Sequence, residues 1–181
     1  MLSKLIKTIA QQLQKEKISY MIIGAGALLA YGLPRLTKDI DITLGISPED
    51  ADEIIKICKK LNLKILTSNP KDFVKKTMVL PALDKKSGFR IDFIFSTSEY
   101  EKQALKRVKR FKVENFYVRF ASPEDIIIHK LIAGRARDIE DIKNLLAKRK
   151  IDFAYIKSWL EKFDQELATD YLKEFEKLIK D

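Results

Sequence analysis

One cysteine and one histidine, Cys58 and His129, stand in a chain of 181 residues. A lone thiol cannot form an intrachain disulfide, and without further Cys or His there is no Cys zinc site and no multi-histidine metal centre. Ser-His-Asp catalysis is also hard to assemble around a single histidine. No apolar run approaches the roughly 20 residues needed to cross a bilayer. The opening "MLSKLIKTIAQQLQKEK" mixes charges into its apolar positions and has no small-residue cleavage site, so it reads as an amphipathic helix and not a signal peptide. No membrane association and a cytoplasmic location are the expectations. Glycine and proline are sparse, at 6 and 5, and neither a flexible linker nor a low-complexity tract is visible.

Positive charge, by contrast, is plentiful. Lys+Arg number 35 against 26 Asp+Glu, a net charge of +9. That excess favours an anionic partner such as a nucleotide or nucleic acid. Lys and Glu dominate the charged set, which is also the composition of thermophile proteins.

Periodicity divides the chain. Apolar spacing at Leu2, Leu5, Ile6, Ile9 and Leu13 is helical over 2–16. "SYMIIG" (19–24) reads as a buried strand and "AGALLAYGL" (25–33) as a short helix stopped by Gly32 and Pro34. "DIDITL" (39–44) alternates as a strand does. "SPEDADEIIKICKKL" (47–61) opens with a Ser cap, proline and acids, a strong helix start. "KILTS" (64–68) and "TMVLPAL" (77–83) are weaker strands and "FRIDFIF" (89–95) a firm one. A helix over 98–110 and a hairpin over 111–121, turning at Glu114-Asn115, follow. Everything from Ser122 is helical: 122–133, 138–148, 152–162 and 166–179. Strands mixed with helices followed by helices alone predict an α/β or α+β unit over 1–121 and a helical segment over 122–181.

The stretch "LPRLTKDIDITLG" (33–45) carries the chemistry. Side chains alternate across a strand, so Asp39 and Asp41 share one face while Ile40 and Ile42 take the other. Two carboxylates that close repel, and a cation is the natural compensation. An all-oxygen donor set suits Mg²⁺ or Mn²⁺ better than zinc. "FRIDFIF" repeats the pattern, with Asp92 opposite Phe89, Ile91, Phe93 and Phe95. If the two strands pair, three carboxylates converge. Such a set can hold metal, clamp a triphosphate and accept a hydroxyl proton. Upstream, "MIIGAGALLAYG" places Gly24 between a strand and a helix, where backbone N–H groups can cradle phosphate.

A strand, a glycine turn, a helix and then Arg-x-Thr-x-Asp-x-Asp resemble the nucleotidyltransferase fold of the DNA polymerase β superfamily. "IIGAGALLAYGLPRLTKDIDITL" (22–44) and "SPEDIIIHKLIAGRARDIEDIKNLL" (122–146) look like its bacterial branch, which holds the nucleotidyltransferase toxins of the abortive-infection type. The resemblance implies a mixed sheet flanked by helices, followed by a helical C-terminal segment. It implies that Gly24 and Ala25 meet the nucleotide phosphates, that Arg35 and Thr37 support the site, and that Lys130 reaches a phosphate or the incoming nucleotide. It makes Asp39 and Asp41 metal ligands and Asp92 the third, base-like carboxylate. Where relatives often carry Gly-Gly or Gly-Ser, this chain has Gly24-Ala25, which keeps the backbone donors and loses a hydroxyl.

In the helical segment Ser122 reads as a cap, with Glu124 and Asp125 complementing the helix dipole. Lys130 lies in the apolar "IIIHKLIAG" and must either snorkel out or meet an anion. Asp138 reads first as the cap of the next helix, and Asp141 as a partner for Arg137; the resemblance implies a second role for them, orienting Lys130 or the base of a nucleotide. Lys102, Lys106, Arg107, Lys109, Arg110 and Lys112 form a basic run that is a solvated face or a phosphate-backbone contact.

The expected activity is Mg²⁺-dependent transfer of a nucleoside monophosphate from an NTP to an acceptor hydroxyl on tRNA, a protein or a small molecule. A toxin with a cognate antitoxin is one version of it. A catalytically silent module that binds nucleic acid or a partner protein is the alternative. A metal-dependent phosphohydrolase uses similar ligands but has no need of the Gly24 turn.

Overall fold

A computed structural model describes residues 1–33 and 35–180. Pro34, expected to stop a helix, lies outside the described residues. The chain divides into two compact units, Met1–Ala121 and Ser122–Asp181.

The first unit is built on one seven-stranded sheet. Its strands are β1 (Tyr20–Ile23), β2 (Asp39–Leu44), β3 (Lys64–Ile65), β4 (Val79–Leu83), β5 (Arg90–Phe95), β6 (Lys109–Val113) and β7 (Phe116–Phe120), in the order β3-β4-β5-β2-β1-β7-β6. The sheet is mixed: β2 runs parallel to β5 and β1 to β7, and the other pairs are antiparallel. β1 lies inside the sheet between β2 and β7 and is buried along its length, which explains its unbroken apolar run. β2 and β5 instead alternate. Ile40, Ile42, Leu44, Ile91, Phe93 and Phe95 are buried on one side, leaving their intervening residues for the other.

Helices α1 (Leu2–Lys15), α2 (Gly24–Ala30), α3 (Ala51–Lys60), α4 (Pro70–Thr77) and α5 (Glu99–Lys106) complete this unit. α1 packs on β6 and β7, α2 on β1 and β2, and α4 on β4. The helix expected from Ser47 begins as a single 3₁₀ turn, Pro48–Asp50, closed by reciprocal Ser47 and Asp50 bonds, before α3 takes over. α4 was not expected from the sequence. Pro70 occupies its first turn and only Val74 is buried, so it shows little apolar period. The strand expected over 64–68 shortens to two residues, and the helix expected to reach 110 stops at Lys106, with Lys109 and Arg110 joining β6.

In the second unit α6 (Pro123–Ala133) touches α7 (Ala136–Lys148), α8 (Phe153–Leu167) and α9 (Tyr171–Leu178). Being surrounded explains why α6 is apolar around most of its circumference. Ser122 caps it by accepting from the Asp125 N–H. Asp125 in turn accepts from the Tyr155 hydroxyl at 2.8 Å and Glu124 from the Asp152 N–H at 3.1 Å, so both acids hold α8 in place. α7 starts two residues earlier than its sequence suggests. Arg135 is the cap and Asp138 lies inside the first turn, because Asp138 is drawn into an ion network and not into capping.

Candidate active site

β2 and β5 pair in parallel with Asp39 opposite Arg90 and Asp41 opposite Asp92. Period-two alternation then sets Asp39, Asp41, Arg90 and Asp92 on one face of two hydrogen-bonded strands. Asp39 is exposed and Asp41 and Asp92 are half-buried. Thr37 secures the entry to β2: its hydroxyl donates to the Asp39 carbonyl at 2.9 Å and accepts from the Asp39 N–H at 3.1 Å. The Arg90 N–H donates to the Lys38 carbonyl at 2.9 Å, so the two strands are tied together just before the carboxylates.

Gly24 approaches the same place from α2. Its φ is +62°, and a Cβ added there would sit 2.4 Å from Asp41 Oδ2. Only glycine allows the start of α2 and the Asp41 carboxylate to share this space. Ala25 is partly exposed beside it.

Arg90 is the member that sequence reasoning missed. Its Nε donates to Asp92 Oδ1 at 2.9 Å. That bond, with the charges of Asp92, Asp39 and Asp41, raises the guanidinium above its usual range. A charged residue opening an apolar strand reads as solvated. The signal was its place two residues before Asp92, which puts both on one strand face.

Among the described residues no three His, Cys, Asp or Glu side chains are gathered as a metal-holding group. Arg90 takes up part of the charge that a cation would neutralise. The donor chemistry nevertheless fits a divalent cation, since three hard carboxylates share a face and Asp41 and Asp92 are direct register partners.

Lys130 belongs to the second unit. It is 5% exposed, and its Nζ contacts Asp138 Oδ1 at 2.7 Å and Asp141 Oδ2 at 2.5 Å. Arg135 Nε reaches Asp138 Oδ2 at 2.7 Å. Burial alone would raise the Asp138 carboxyl; the hydrogen bonds from Lys130 and Arg135 outweigh it and hold the group below its ordinary value. The ammonium has met its anions within its own helical unit.

The DUF6036 family, "Nucleotidyltransferase of unknown function", matches residues 1–178. The chain belongs to this family. No curated protein matches the sequence. Among solved structures, the antibiotic-resistance factor ANT(2'')-Ia in solution is similar at 15% identity and a TM-score of 0.66, over 92% of this chain and 93% of that one. An antigenic nucleotidyltransferase-like protein from Paracoccidioides brasiliensis follows at 18% identity and a TM-score of 0.57, over 91% and 88%. The lincosamide antibiotic adenylyltransferase LnuA, with lincomycin bound, is similar at 15% identity and a TM-score of 0.54, over 78% and 94%. This DUF6036 member therefore has the nucleotidyltransferase fold, the mixed sheet with helices that its sequence resemblance implied.

Proposed function

We propose that the protein transfers a nucleoside monophosphate from an NTP to an acceptor hydroxyl at the face formed by Asp39, Asp41 and Asp92. The observation that carries this reading is the parallel register of β2 and β5, which makes Asp41 and Asp92 neighbours, with Gly24 against Asp41. Asp39 and Asp41 would hold Mg²⁺ or Mn²⁺, whose charge would neutralise the triphosphate. Asp92 would accept the proton of the attacking hydroxyl. The acceptor oxygen bonds to the α-phosphorus, the bond from that phosphorus to the bridging oxygen breaks, and pyrophosphate leaves with the electron pair.

Gly24 and Ala25 would present backbone N–H groups to the phosphates. Arg35 and Thr37 would support the entry to β2, as Thr37 does for the Asp39 backbone. The assignment of Lys130 to the nucleotide rests on the sequence resemblance alone. ATP is the first NTP to try, because one relative is an adenylyltransferase and ANT(2'')-Ia has been seen with adenylyl-2''-tobramycin.

The test is incubation with each α-labelled NTP, Mg²⁺ and candidate acceptors, beside an Asp39→Asn, Asp41→Asn double variant. Transfer by the parent protein alone establishes the reaction. Transfer by both proteins overturns the assignment of Asp39 and Asp41; neither transfer nor Mg²⁺-dependent NTP binding by the parent overturns the reaction and leaves a silent binding module.

A further inference from the structure

The β6–β7 hairpin has two unlike faces. Its register pairs Phe111 with Val118, Val113 with Phe116 and Lys109 with Phe120. α1 packs on this hairpin, and Ile6 of α1 lines one cavity with Phe111, Val113 and Phe120. The apolar face is therefore the covered one. By alternation the other face carries two cross-strand pairs, Arg110 with Arg119 and Lys112 with Tyr117. Arg110, Lys112 and Tyr117 are exposed and Arg119 is half-buried.

This second face differs from an ordinary solvated surface. Residues directly opposite on antiparallel strands have Cβ atoms about 4.5–5.5 Å apart, where like charges destabilise. Arg110 and Arg119 are such a pair. Neither strand contains an acid to relieve them. Between Lys102 and Arg119 seven Lys and Arg meet one acid, Glu114, and Lys7 of α1 engages its carboxylate. A surface serving solubility alone intersperses both signs. Arg119 is also held in place. Its N–H donates to the Tyr20 hydroxyl at 3.3 Å, and its guanidinium carbon lies 5.7 Å from the Tyr20 ring centroid, within cation–π range. Gln14 Nε2 donates to the same hydroxyl at 2.9 Å and fixes the ring.

Tyr117 decides which anion fits. It is 60% exposed, so its ring is largely open to solvent between the cations. Cations bind the phosphates of a nucleic acid strand, and an exposed aromatic ring stacks on an unpaired base. A duplex keeps its bases stacked inside and offers Tyr117 nothing to stack on. An acidic peptide would use the cations and leave the ring idle. A second copy of the edge strand β6 would bring Lys109, Arg110 and Lys112 against the same residues, and charge of this kind blunts edge pairing.

We propose that this face of the β6–β7 hairpin binds single-stranded nucleic acid, with phosphates against Arg110, Lys112 and Arg119 and a base on Tyr117. β1 separates the hairpin from the carboxylate-bearing β2. The proposal stands apart from the nucleotidyl-transfer reading and is tested without nucleotide or Mg²⁺.

The experiment is fluorescence anisotropy of short labelled oligo(rU) and oligo(dT) against the full chain over a range of salt. Neutralising the phosphates opposite these cations should give a slope of about −2 in log binding constant against log salt. Arg110→Gln with Lys112→Gln should flatten that slope by about 1.4 and weaken binding roughly tenfold or more. Tyr117→Ala should weaken it roughly fivefold or more at an unchanged slope, and Tyr117→Phe should restore it, because stacking needs the ring and not the hydroxyl. All three positions are exposed, so the melting temperature should hold. Lys75→Gln with Lys76→Gln, at exposed positions on α4, is the charge-matched control and should keep binding intact. Binding of either oligonucleotide in this pattern supports the proposal, and the tighter one identifies the strand as RNA or DNA. Equal loss in the two double variants would mean attraction to net charge and overturns the site. Full binding by Tyr117→Ala overturns the role of the ring. An oligo(rA)–oligo(rU) duplex or oligo-glutamate that binds as tightly as the single strands overturns the ligand class, and no binding of either oligonucleotide overturns the proposal outright.

Discussion

Arg90 Nε donates to Asp92 Oδ1 at 2.9 Å, across two residues of one strand, and the partner strand lays Asp39 and Asp41 beside them. A guanidinium therefore sits within a face of three carboxylates. It relieves the repulsion between Asp41 and Asp92, and it occupies an oxygen that a divalent cation would need.

Replacing Arg90 with Met separates those two effects. The pair is partly exposed, with side-chain exposures of 51% and 19%, so it contributes no more than about 1 kcal/mol. Arg90→Met is expected to lose that much stability in metal-free buffer and to bind Mn²⁺ about fivefold more tightly, measured by electron paramagnetic resonance. Unchanged or weaker Mn²⁺ binding would show that Arg90 does not compete for Asp92.

Gly24→Ala is expected to stay folded and lose at least a hundredfold in nucleotidyl transfer. The new Cβ would lie 2.4 Å from Asp41 Oδ2, so the carboxylate has to move, and small misplacements of reacting groups cost about that much in rate. Backbone strain at positive φ adds roughly 1–2 kcal/mol. Gly32→Ala is the control. Its φ is +73° with nothing within 4 Å of the added Cβ, so it bears similar strain and should keep transfer intact. Thermal melts and label transfer on both variants check this; equal loss of transfer in the two would assign the effect to strain and not to Asp41.

How much of this was legible beforehand follows from the kind of signal each residue sends. β2 and the side-chain faces of β5 were readable because isoleucine and phenylalanine alternate with aspartate, and the parallel pairing brought Asp41 and Asp92 together as the convergence of the two strands required. α4 was not readable, since seven of its eight residues stay at least partly exposed and carry no period. Arg90 was overlooked because its meaning comes from its neighbours across and along the strand, not from its own type. Lys130 had two outcomes open, to snorkel out or to meet an anion; it meets Asp138 and Asp141 of α7, whose start the sequence places too late because Asp138 has the composition of a cap.

Lys130→Met should destabilise the protein by about 3 kcal/mol, the low end for breaking a buried ion pair. Asp138 is fully buried, and the loss of Lys130 leaves it with the contact to the exposed Arg135. Denaturant titration measures the loss. A cost under about 1 kcal/mol would mean that the network adds little to the helical unit.

His129 makes stability fall on the acid side. Burial lowers its imidazole from 6.5 to about 4, and Nε2 is shut off from solvent although the residue keeps some exposed surface. Between these two values the unfolded chain takes up a proton that the folded chain refuses, so folding stability declines as pH drops from 6.5 towards 4 and this contribution levels off below that. The loss is on the order of 1–3 kcal/mol, reduced by whatever solvent reaches the ring. Above pH 6.5 the group has no effect. Denaturant midpoints between pH 7.5 and 4, compared with those of His129→Gln, isolate the contribution, because the variant carries no proton to gain. Parallel curves for the two proteins would show that the imidazole is protonated as easily in the folded chain as in the unfolded one.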